Sequence, residues 1–103
     1  MMDLKELQQF QREHDLKFHS DVMSWERADQ FEHCALHLAK LSGLFGSYCE
    51  KMQRGESVDA SRLFQERIPD LLVFALKMAT LVDLDLEVAY MSRIHAFEER
   101  SKG

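Results

Sequence analysis

His33, Cys34 and His37 fall in the run Glu32-His33-Cys34-Ala35-Leu36-His37, and the two histidines stand one helical turn apart, the spacing that lets two imidazoles share a zinc ion. Two ligands do not close a site. Only Asp29 falls in register as a third, and the glutamate that a metalloprotease helix places inside its histidine pair is missing. The spacing therefore favours a solvated or interface histidine face over a metal centre. Cys49 has no histidine in register to serve as the base that activates a thiol nucleophile. A Gly-rich phosphate loop and a Gly-x-Ser-x-Gly elbow are both missing, as is any strand pattern to carry them. Trp25, Phe31, Phe45, Phe64 and Phe74 recur at helical spacing and read as core, not as a stacking platform for bases. Met23, Met52, Met78 and Met91 read as core filler.

The elements that would position such groups are helices. One proline and four glycines leave few chain breaks in 103 residues, and Leu, Met, Ala, Glu, Lys and Gln are plentiful, so the expectation is an all-α single domain over 1–103. The organising stretch is Leu71 to Val82, where only Lys77 and Thr80 are not apolar. A helix apolar on nearly every face must be wrapped by the other helices and, in a chain this short, by a second copy. A homodimer is expected. The net charge of -5 disfavours nucleic acid and anionic lipid as partners. The start carries no apolar export segment, and no run approaches the ~20 apolar residues of a membrane span. A cytoplasmic setting with free thiols is expected, since Cys34 and Cys49 lie on one helix about 22 Å apart.

In chain order, the pattern predicts a first helix from Asp3 to about Lys17, and a connection over Phe18 to Met23 that tucks Phe18, Val22 and Met23 under the bundle. A second helix, capped by Ser24, is predicted from Trp25 to about Arg54, with Phe31, Cys34, Ala35, Leu38, Leu41, Phe45, Tyr48, Cys49 and Met52 inward. Its opposite stripe of Asp29, His33, His37, Lys40, Ser47, Lys51 and Arg54 is expected to face water. Gly55 suits the left-handed C-terminal position, and Ser57 or Asp59 suits the next cap. The third helix, Ala60 to Val82, should kink or break near Gln65 to Ile68, because Pro69 lacks an N–H and clashes with the carbonyl four residues earlier. After a turn at Asp83-Leu84-Asp85, Asp85 caps a last helix from Leu86 to about Arg100, with Val88 or Ala89, Met91, Ile94 or His95 and Phe97 or Glu98 inward and the last three residues frayed.

Three segments, Ala35-Leu36-His37-Leu38-Ala39 ahead of Gly43, Asp70-Leu71-Leu72-Val73-Phe74-Ala75-Leu76, and Leu84-Asp85-Leu86-Glu87-Val88-Ala89, occur in this order along four helices. In order and wording the chain resembles the MazG-like all-α NTP pyrophosphohydrolase superfamily. The resemblance implies a four-helix, MazG-like bundle in which Glu-x-x-Glu on the second helix and Glu-x-x-Asp on the third hold magnesium, the ion that binds the triphosphate and activates water. Here the first pair is Leu41 and Leu44 and the second is Arg67 and Asp70, so Asp70 alone matches a family ligand. Glu66 is the neighbouring acid. On the last helix Arg93 is the one basic residue left where the family shows Lys-x-x-Lys-Asn.

Two leucines with one Arg and one Asp leave such a site locally neutral without an ion. The expectation is a family member that has lost the magnesium site and catalysis, needs no cofactor, and acts as an oligomeric binding or regulatory protein for a nucleotide or protein partner. One alternative is an active hydrolase that uses magnesium held by Glu32, Glu50, Glu66 and Asp70. The other is an unrelated helical interaction module.

Overall fold

The computed structural model describes residues 1–102, and all its regular structure there is helical: α1 (Leu4–Phe18), α2 (Ser20–Met23), α3 (Arg27–Gln53), α4 (Ile68–Leu81) and α5 (Leu86–Lys102), with a π-helical turn at Leu63–Arg67. Asp3 starts α1 through a capping box: its carboxylate accepts the Glu6 amide at 2.8 Å, and the Glu6 side chain accepts the Asp3 amide at 3.4 Å. Between α1 and α3 the predicted connection contains the single turn α2. Ser24 closes α2 instead of capping α3, its hydroxyl donating to the Asp21 carbonyl, and α3 begins two residues later than the apolar pattern suggests. Phe18 is not tucked under the bundle but is 61% exposed, whereas Val22 and Met23 are half-buried.

Gly55 adopts φ 75° and ends α3 as expected. Its N–H donates to the Met52 carbonyl and that of Glu56 to Lys51, the paired bonds that satisfy the last free carbonyls of a helix. Asp59, not Ser57, caps the next segment by accepting the Ser61 amide at 3.0 Å. The disturbance expected before Pro69 takes the form of the π-helical turn, which widens the helix by one residue just ahead of the missing N–H. The same pair of closing bonds as after α3 recurs after α4, with Asp83 at φ 56° in the left-handed position and Leu84 N–H donating to Ala79 at 2.8 Å. Asp85 then accepts the Val88 amide to start α5, and Ser101 and Lys102 remain helical where fraying was expected; Gly103, also expected to fray, lies outside the described residues.

α4 packs against α3 on one side and α1 on the other, and α5 rests mainly on α1. The core is thin: among the described residues Cys34, Leu41, Ala60, Leu76 and Ala79 are the buried apolar ones, and none of the large side chains there is sealed completely. Full wrapping of α4 is not observed, because Ile68, Leu71, Leu72 and Val82 are 37–53% exposed. The inward stripes expected of α3 and α5 are also cut short, with Phe31, Ala35, Cys49 and Met52 exposed on α3, and with Ala89 and Ile94 half-buried but Val88, Met91 and Phe97 exposed on α5.

Lys77 and Thr80 on α4 explain how α1 docks. Lys77 reaches the buried Asp15 at 3.5 Å, and the Thr80 hydroxyl accepts the Gln8 amide at 3.2 Å. Gln8 also donates to the Leu84 carbonyl at 2.8 Å and accepts the Leu86 amide at 3.1 Å, so one side chain ties α1 to the turn and to the first free N–H of α5. Gln8→Ala should therefore cost about 1–2 kcal/mol in urea unfolding, because it leaves three polar groups short of a partner. Hydrogen exchange should accelerate first over Leu84 to Ala89, and a uniform change along the chain would contradict this role for Gln8.

Candidate functional site

Leu41 and Leu44 lie one turn apart on α3, and Arg67 and Asp70 lie three residues apart where the π-helical turn runs into α4. Both pairs face the same groove, so the four positions singled out in the sequence line one cleft of about 220 Å³, together with His37, Lys40, Val73 and Phe74. Leu41 is buried and forms its floor, and Leu44 lies at the edge of exposure. The Arg67 guanidinium donates to Asp70 at 3.1 Å, and both side chains are partly open to water. That bond takes one oxygen of the acid, Oδ2, and holds a positive charge beside the position a cation would occupy. Lys40 adds a second positive charge to the lining, so two cations face one carboxylate.

The other acids do not join it. Glu66 accepts twice from Arg62 at 3.1 Å on the outer side of the π-helical turn. Glu50 pairs with Arg54 at 3.3 Å, and Glu32 lines a separate shallow recess beside Trp25 and Asp29. Arg93 lies over the Phe97 ring at 4.6 Å and is not part of the cleft lining.

Of the solvated or interface face that their spacing suggests, His33 and His37 are not the fully solvated one: both are half-buried in an aromatic ladder. His37 stacks on Phe74 at 4.9 Å with 10° between the planes, His33 meets His37 edge-on at 4.5 Å, and Trp25 meets His33 edge-on at 5.6 Å. The ladder half-buries both imidazoles and fixes α3 against α4. Burial first, then the nearby His33, Lys40 and Lys77, pushes the His37 pKa below its ordinary value, and Asp70 offsets this in part. The unfolded chain therefore binds a proton more readily than the folded one, so this contribution to stability is complete above about pH 6.5 and declines as pH falls through the lowered value. Asp29 does not come within ligating distance of the pair.

Cys34 is buried, and burial foremost pushes its thiol pKa up; Asp15 adds to this while Lys77 opposes it, so the protonated and unreactive form prevails. Both cysteines are free, but of the two thiols expected to be buried only Cys34 is, and Cys49 is exposed. Pattern reading missed Asp15 and Gln8 as partners of α4. The signal was present in Lys77, a lone charge in an apolar run, which requires a counter-charge when it is covered. Among the described residues no helix is long and apolar enough to cross a membrane.

Comparison of the chain with protein-family models, with curated proteins and with solved structures found no match.

Proposed function

We propose that this chain is a MazG-like helical protein in which the magnesium site has been replaced by an internal ion pair, leaving an oligomeric binding or regulatory protein. The observation that carries the reading is the cleft formed by Leu41, Leu44, Arg67 and Asp70, in which the one acid is already bonded to the one arginine. Magnesium requires several hard oxygen ligands at about 2.0–2.1 Å, and two leucines supply none. Without the ion, neither the phosphate nor the attacking water is activated, effects worth several kcal/mol of barrier. Lys40 and Arg67 against Asp70 give the cleft a net positive lining, which suits a phosphate-bearing ligand such as a nucleotide held without metal.

The oligomeric part rests on area. The chain exposes 7809 Å², whereas a compact monomer of its mass exposes about 6,000 Å². Its radius of gyration is 16.7 Å, against about 13 Å for a compact domain of this length. Ile68, Leu71, Leu72 and Ala75 form one stripe of α4 at helical spacing, and the first three are exposed. The excess of roughly 1,800 Å² per chain is the amount that an obligate homodimer buries.

The wild-type protein is expected to release no pyrophosphate from common nucleoside triphosphates with magnesium, and to bind nucleotides equally with or without it in isothermal titration. Leu41→Glu, Leu44→Glu and Arg67→Glu combined should create a magnesium and manganese site beside Asp70. A folded triple variant with no affinity for either ion would overturn the assignment of these positions. Wild-type turnover that disappears in Asp70→Asn would overturn the loss of catalysis.

A further inference from the structure

At the end of α1 the donor atoms of His14, Asp15 and His19 all lie within 4.8 Å of one another, and this is the one such trio among the described residues. We propose that these three residues form a binding site for a divalent transition-metal ion of the zinc class. In an uninterrupted helix, positions 14 and 19 would point about 140° apart. The trio exists because α1 stops at Phe18: the His19 amide closes on the Asp15 carbonyl at 2.7 Å, and His19 leaves the helix with φ -133°. Its ring then turns back to within 5.7 Å of the His14 ring.

Two ligand atoms on a tetrahedral zinc stand about 3.4 Å apart. Small side-chain rotations by His14 and the exposed His19 therefore suffice to close the site around an ion. Asp15 is the fixed member. Its residue is 4% exposed, and Gln11 (3.0 Å) and Lys77 (3.5 Å) both address Oδ1, which leaves Oδ2 for a metal. A carboxylate ligand oriented by outer partners is the arrangement that metal sites use. Asp15 and His19 also border a cavity of about 40 Å³, with room for water at an open coordination position. Two imidazoles and one carboxylate select zinc, nickel or copper over magnesium or calcium. No residue is shared with the Leu41–Asp70 cleft, so the site stands or falls independently of the function proposed above.

Chelator-treated full-length protein titrated calorimetrically with zinc chloride should bind one ion per chain. His14→Gln and His19→Gln should each weaken binding at least tenfold with an unchanged helical circular dichroism spectrum, while His37→Gln should have no effect. Cobalt should give visible absorption bands that are lost in the same two variants. Asp15→Asn, if folded, should weaken zinc binding as well. Absence of saturable zinc binding by the wild type would overturn the site. So would zinc binding undiminished in the His14→Gln, His19→Gln double variant, or binding that is lost only in His33→Gln, His37→Gln.

Discussion

Asp15→Ala is expected to destabilise the chain by about 3 kcal/mol, because it strands Lys77 in the middle of the most apolar helix of the fold. The Lys77 side chain is 22% exposed and that of Asp15 6% exposed, so neither charge can be fully rehydrated when its partner is removed. Lys77 would keep only the Phe74 ring, 5.3 Å from its ammonium, as local compensation. At this chain length the loss corresponds to a fall of roughly 12–24 °C in Tm. Adding Lys77→Met should recover most of it, since an apolar pair of similar volume removes the desolvation cost that the ion pair has to offset. If the double variant is as unstable as Asp15→Ala alone, the effect lies in the cavity left by the side chain and not in the stranded charge.

Leu72→Glu is expected to weaken self-association at least a hundredfold, about 3 kcal/mol, while leaving the helical content intact. Leu72 is 43% exposed within one chain, so a carboxylate there is tolerated by the isolated protomer. Across a self-complementary interface the same substitution buries two carboxylates near the symmetry axis, with no cation on the Ile68, Leu71, Leu72 and Ala75 stripe to neutralise them. Analytical ultracentrifugation would report the wild type at twice 12.1 kDa and the variant at 12.1 kDa, at micromolar concentration. A wild type that sediments as the 12.1 kDa species would remove the dimer.

The amino-acid sequence by itself determined the helical class and most of the punctuation. Gly55, Pro69 and Asp85 act locally, through φ preference, a missing donor and a side-chain cap, so their effects need no distant partner. Leu41, Leu44, Arg67 and Asp70 were paired through the resemblance and not by periodicity, which shows only that residues three apart share a helix face; that they line one cleft depends on the crossing of α3 and α4. That Arg67 is bonded to Asp70 and Glu66 to Arg62 was not legible, since each choice depends on how the π-helical turn rotates the chain ahead of Pro69.

Only the tertiary structure decided which side of each helix is covered. Periodicity marks His33 and His37 as polar, yet Phe74 from α4, with Trp25 just ahead of α3, half-buries them. Periodicity offers Val88 or Ala89, Met91, Ile94 or His95 and Phe97 or Glu98 as inward, and the docking of α5 half-buries Ala89 and Ile94 while it leaves Val88, Met91 and Phe97 exposed. His14, Asp15 and His19 come together only because α1 ends between them. A hydrophobic period specifies that a face prefers to leave water. It does not specify what covers that face, and this depends on long-range contacts such as Gln8 with Leu86 and Asp15 with Lys77, whose partners lie more than sixty residues apart.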